Sequence, residues 1–146
     1  MSEENFAAVR GFYRAFDSWL ASLTSDPAEG IEQSAELEEM FDHLDPDAEW
    51  AWPLSTDTFK GREQLLQAVA DWYETVSAWR VEIVELIDCG DDRVLMDARV
   101  VARGKGSGTP FTQHVFSVVT IRNGKIARFE DHTERASALE AAGLSE

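Results

Sequence analysis

Apolar positions change period part-way along the chain. Phe6, Val9, Tyr13, Phe16, Leu20 and Leu23 recur at three- and four-residue steps, which predicts one face of a helix over residues 5–23; Phe12 and Trp19 widen the stripe. Ser25-Asp26-Pro27 and Gly30 break it. Ser34 can cap a second helix whose apolar side is Leu37, Met40, Phe41 and Leu44, and Asp45-Pro46-Asp47 stops that helix. Ala48 to Trp52 reads as a short strand ended by Pro53, followed by a polar loop over Ser55 to Lys60. Gly61 opens a third helix with Leu65, Val69, Trp72 and Val76 on one stripe.

The second half has strand period. Trp79–Asp88, Arg93–Arg103, Phe111–Arg122 and Lys125–His132 are four runs separated by glycine-bearing turns, and Asn123-Gly124 is a strong two-residue hairpin signal. Arg135 to Ala142 closes the chain as a short helix that stops at Gly143. Helices first and adjacent hairpins later predict an α+β fold with a curved, mainly antiparallel sheet wrapped around the N-terminal helices. No repeat or linker divides residues 1–146, so a single domain is expected.

The hairpin predicts a register. With Arg122 opposite Lys125, Val118 faces Phe129 and Phe116 faces Asp131, while His114 lies diagonal to Asp131 on the same face. Ser117, Val119 and Ile121 fall on the other side. In the preceding strand Val94, Met96, Ala98 and Val100 form an apolar face, leaving Asp97 and Arg99 outside; one bulge would reverse that assignment.

Composition narrows the partners. Acidic residues number 28 and basic ones 13, a net charge of −15, which argues against nucleic acid. The excess serves solubility first, and attraction of a cationic ligand second. No apolar run is long enough to span a membrane, the first residues are acidic rather than signal-like, and Cys89 is the lone cysteine, so a cytoplasmic protein is expected. No His/Cys spacing suits a metal, and the glycines at 104–108 join two strands rather than opening a phosphate-binding helix. No cofactor is expected.

Asp45-Pro46-Asp47-Ala48-Glu49-Trp50, Phe59-Lys60-Gly61-Arg62-Glu63, residues 104–108, Asn123-Gly124-Lys125-Ile126 and Ala138-Leu139-Glu140-Ala141-Ala142-Gly143-Leu144 together resemble the SnoaL-like, polyketide cyclase branch of the nuclear transport factor two-like superfamily. The resemblance implies a cone of helices and curved sheet, often dimeric, enclosing a pocket. It covers cyclases, ketosteroid isomerases, dehydratases, epoxide hydrolases and non-catalytic binders. The isomerase base position corresponds to Trp52 here, so that base is missing. The epoxide hydrolase set corresponds to Asp131 and Arg99, with its second aspartate replaced by Val101. SnoaL-like cyclases use a late aspartate, for which Asp131 and Asp97 are candidates.

Three functional readings follow. In the first, a cofactor-independent isomerase, cyclase or dehydratase acts on a small hydrophobic molecule, with His114 as base, Asp131 as its orienter or the acid, and Arg99 as oxyanion donor. Tyr13, Phe16, Trp50, Trp52, Trp72, Phe116 and Phe129 would line the pocket. In the second, the same pocket binds without turnover. In the third, the aromatics fill the cone, the His114–Asp131 pair is structural, and the domain serves dimerisation.

Overall fold

The computed structural model describes residues 2–22, 35–51, 58–73, 76–90, 92–104 and 106–144, without the side chains of 2, 21, 22, 72, 73 and 76–79. In chain order these are α1 (Ser2–Ser22), α2 (Ala35–Asp42), β1 (Leu44–Ala51), β2 (Thr58–Lys60), α3 (Gly61–Tyr73), β3 (Val76–Gly90), β4 (Arg93–Gly104), β5 (Pro110–Arg122), β6 (Lys125–His132) and α4 (Arg135–Ala141). The strands form one curved, unclosed sheet in the order β2-β1-β6-β5-β4-β3. Among the described residues only the β1–β6 pairing is parallel. The expected α+β roll is the fold.

The sheet's inner face packs on α1, α2 and α3. Val9, Phe12, Phe16, Trp19 and Leu20 of α1 are buried there with Met96, Ala98, Val119, Ile121 and Phe129. The three- and four-residue spacing of α1 puts these side chains on one stripe, and each buried side chain of this size contributes about 1.5–3 kcal/mol over leaving it in water. Gly11 lets α1 approach the His43 ring: a Cβ there would meet Cε1 at 2.9 Å. A smaller core forms on the outer face, where Ala138 and Leu139 of α4 and Ala142 just after it cover Leu95, Phe116 and Val118. Arg93 ties the end of that helix down, its guanidinium donating to the Ala141 and Ala142 carbonyls at 3.3 and 3.2 Å.

Several boundaries differ from the sequence expectation. β1 begins at Leu44, and Asp45-Pro46-Asp47, expected only as a helix stop, is carried within it. A register irregularity between Leu44 and Glu49 accommodates the proline, which lacks a ladder donor. Thr58 to Lys60, expected in the polar loop, pairs as a strand with Ala51 to Glu49. Val76, expected on the α3 stripe, already belongs to β3 and pairs with Gly104. The Ser34 cap, the break at 25–30 and Trp52 lie outside the described residues.

The largest correction concerns β5 and β6. Arg122 pairs with Lys125 and Ile121 with Ile126, as the turn demands, with Asn123 and Gly124 at φ 54° and 76°. Thr120 then meets Arg128, so one extra residue, Ala127, is inserted in β6. From there Val119 faces Phe129, Ser117 faces Asp131, and Phe116 faces His132. A one-residue insertion flips every later side chain relative to its partner strand. His114, Phe116 and Val118 therefore share the outer face with Leu95 and Asp97, and do not share a face with Asp131.

Candidate active site

A cavity of about 360 Å³ lies between the inner face and the helices. Phe12, Tyr13 and Phe16 of α1, Met40 and Phe41 of α2, Leu65 and Val69 of α3, Trp50 and Phe59 of the edge strands, and Met96, Ala98, Val100, Val115 and Phe129 of the sheet line it. The exposed Asp71 and Thr133 also line it and mark its opening. Its size suits a ligand of one or two rings.

Asp131 is the carboxylate set in this apolar wall. The Trp50 indole Nε1 donates to its Oδ2 at 2.6 Å. The parallel β1–β6 ladder builds this contact: Trp50 stands beside Phe129, so its ring reaches the next inward residue of β6. Ser117, fully buried and opposite Asp131 in the ladder, presents a hydroxyl that favours the charged carboxylate while falling short of a closed hydrogen bond. Burial pushes the Asp131 carboxyl up from its ordinary value, and Trp50, Ser117 and the charge of His132 pull back only in part.

Tyr13 borders the same space. Its ring meets Phe129 edge-on at 6.2 Å between centroids and Phe12 at 4.9 Å. Burial, then the negative charges of Asp131 and Asp17, push its phenol well above the ordinary value, so it stays a neutral hydroxyl. Phe12 and Phe129 lie 5.2 Å apart, and Trp50 and Phe59 5.9 Å, so rings flank the carboxylate on two sides. His132 turns its Nε2 to Glu130 at 3.0 Å. Burial of Glu130 is outweighed by hydrogen bonds from His132 and Arg128, which bring its carboxyl down. Among the described residues, no arginine or lysine lines the cavity.

The structure thus brings Tyr13, Phe16, Trp50, Phe129 and Asp131 together. It separates them from His114, Arg99 and Phe116, which stand on the outer face. There the His114 Nε2 lies 2.5 Å from Asp97 Oδ1, the imidazole stacks on Phe116 at 4.8 Å, and Arg135 reaches the other Asp97 oxygen at 3.9 Å. Arg99 neighbours His114 in the ladder and is exposed. The expected His114–Asp131 pair does not form, because the Ala127 insertion moves the two residues to opposite faces. Trp52 and the Trp72 side chain lie outside the described residues. The sequence reading missed Ser117 and the Trp50–Asp131 bond, since both depend on the shifted register; of the two candidates for the SnoaL-like late aspartate, Asp131 lines the cavity and Asp97 lies on the outer face.

Comparison with known proteins agrees with this architecture. A profile of the SnoaL-like domain matches residues 9–129. The chain belongs to the SnoaL-like domain family. No curated protein matches the chain. Among solved structures, TerC co-crystallised with polyporic acid shares 20% identity and a TM-score of 0.70, covering 96% of this chain and 98% of its own. A candidate SnoaL-like polyketide cyclase from Jannaschia sp. CCS1 shares 16% identity and a TM-score of 0.67, with 99% and 94% covered. A protein of ketosteroid isomerase-like fold from Catenulispora acidiphila DSM 44928, in complex with trimethylamine, shares 20% identity and a TM-score of 0.60, with 84% and 96% covered. At these identities the likeness is one of fold. No helix among the described residues is long and apolar enough to cross a membrane.

Proposed function

We propose that this chain is a cofactor-independent proton-transfer enzyme, of the isomerase, cyclase or dehydratase kind, acting on a small hydrophobic molecule inside the cavity. The observation that carries the reading is Asp131: a carboxylate in an apolar wall, held at one oxygen by Trp50 and leaving the other for a ligand. A base raised toward neutrality both accepts and returns a proton efficiently. The step is removal of a proton from carbon beside a C=O or C=N group, with the proton passing to Asp131 and back to a second atom of the substrate. Tyr13, Phe16, Trp50 and Phe129 would hold the molecule, with the Tyr13 hydroxyl as a hydrogen-bond donor. The earlier role of base passes from His114 to Asp131, and Arg99 has no part in the reaction.

Support from relatives is of the same kind. Two structures of this fold were solved with small molecules, polyporic acid and trimethylamine. The remaining parts of the proposal are a single domain, a cytoplasmic setting and a homodimer; Val84 of β3 is a half-exposed apolar side chain that such a contact could cover. Light scattering reads the dimer directly. The catalytic reading is tested by deuterium uptake from D2O into 1-tetralone and into 1-methyl-3,4-dihydroisoquinoline, a neutral ketone and a protonated imine. Exchange of at least one, lost in Asp131→Asn, is expected; equal rates with wild type, the variant and no protein overturn it.

A further inference from the structure

We infer that the cavity selects a hydrophobic organic cation, its charge on nitrogen, and that Asp131 is the counter-ion. This rests on the cavity being the functional site and names the substrate class it takes. The first argument is the census of charge. Asp131 and Asp71 line the cavity, His132 is engaged by Glu130, and among the described residues no lysine or arginine lines it. Arg62, on α3, is not among the lining residues. It is stacked on the Phe41 ring at 5.3 Å and donates to the Phe41 carbonyl at 3.1 Å. A carboxylate or phosphate ligand would enter an apolar space with negative charge already there and, among the described residues, no lysine or arginine to meet it.

The second argument is the immediate surroundings of Asp131. Facing it are the Trp50 N–H from β1, the Ser117 hydroxyl from β5, the Tyr13 phenol from α1 and, next along β6, His132. It is a half-buried carboxylate in an apolar wall, with one closed hydrogen bond to a neutral donor, where charges removed from water ordinarily gain a charged partner. The rings of Trp50, Tyr13, Phe12 and Phe129 line the cavity around it. A weakly hydrated ammonium or iminium is the ion such walls attract, and the chain's net charge of −15 draws cations toward the opening.

The third argument is chemical. Taking a proton from carbon beside a neutral ketone leaves an enolate, an anion that no lysine or arginine among the described lining residues stabilises. Taking it from carbon beside a protonated imine creates none. The C–H bond breaks, its electron pair forms the C=C bond, the C=N π pair retires to nitrogen, and the proton goes to Asp131. A cation–carboxylate pair becomes a neutral enamine and a carboxylic acid, which suits an apolar wall.

Phenyltrimethylammonium and tert-butylbenzene test this, being alike in shape and different only in charge. Titration followed by calorimetry and tryptophan fluorescence should show the cation binding at least tenfold more tightly to the wild-type protein. In Asp131→Asn, confirmed folded by circular dichroism, that preference should fall to within about twofold. Affinity for the cation should rise with pH as Asp131 ionises, while that for the hydrocarbon stays flat. Equal or tighter binding of tert-butylbenzene to wild type overturns the inference, as does failure of the cation to bind. Faster exchange of tetralone than of the imine also sinks it while leaving the proton-transfer reading intact; cation preference with no exchange in either compound does the reverse.

Discussion

Two carboxylates on one sheet, Asp131 on the inner face and Asp97 on the outer, meet a nitrogen at nearly the same distance and are otherwise opposites. Asp97 has His114 at 2.5 Å and Arg135 at 3.9 Å, beside a half-exposed imidazole, so its charge has partners and water nearby. Asp131 has an indole N–H at 2.6 Å and a wall of rings. One arrangement ties α4 to the sheet. The other leaves a charge that Trp50, Ser117 and the charge of His132 balance only in part. A carboxylate with a histidine at hydrogen-bond distance looks like the more reactive motif, yet the cavity is what separates reactivity from support, since chemistry needs a place for the substrate.

The largest test of this contrast is catalytic. Asp131→Asn should slow exchange by about 10²–10⁴-fold, the usual worth of a positioned acid–base group, whereas His114→Ala should change it less than about twofold. Exchange lost in His114→Ala and kept in Asp131→Asn would restore the pairing read from the hairpin turn. Next in size is the outer core. Leu139→Ala should lower stability by about 2–5 kcal/mol in urea denaturation, because α4 contributes much of what covers Leu95, Phe116 and Val118, and should leave the cation preference unchanged.

Trp50→Phe is a subtler probe. It keeps an aromatic wall and removes the donor that lowers the Asp131 carboxyl, so the acid limb of the exchange profile should move to higher pH, with a rate loss of about tenfold at neutral pH. A wall-only role for Trp50 predicts an unchanged pH profile.

The outcome of reading the sequence follows from which constraints are local. The α1 stripe, the strand runs and the Asn123-Gly124 turn are set by nearest neighbours, and all are present. So is the two-faced pattern of β4, with Asp97 and Arg99 outside. The insertion at Ala127 has no glycine or proline to announce it. Its trace lies in apolar pairing: Ile126 opposite Ile121 and Phe129 opposite Val119 cannot both point inward without one extra residue between them. That single residue separated His114 from Asp131 and joined Trp50 to it. The epoxide hydrolase comparison reached Asp131 because it counts along β6 from the turn and needs no cross-strand register, whereas the SnoaL-like late aspartate left Asp131 and Asp97 both open.

The smallest expected effect is on the outer pair. His114 is about half exposed, so its ion pair with Asp97 is well screened, and His114→Ala should cost no more than ~1 kcal/mol. The inner carboxylate should behave with the opposite sign. Its folded value is raised by burial, so its contribution to stability is full while both folded and unfolded chains hold the proton. That contribution is lost as pH rises from the ordinary carboxylate value through the raised one. Asp17, also raised by burial against an N–H from Val81, adds to the same trend. Urea denaturation across that window should therefore show wild type losing ground relative to Asp131→Asn, whose amide oxygen still accepts the Trp50 N–H and carries no charge into the wall. Saturating phenyltrimethylammonium should reverse the difference, stabilising wild type and leaving the variant nearly unmoved. If the variant is instead the less stable protein at every pH, with or without the cation, Asp131 is a structural hydrogen-bond acceptor, and the contrast between the two faces of the sheet dissolves.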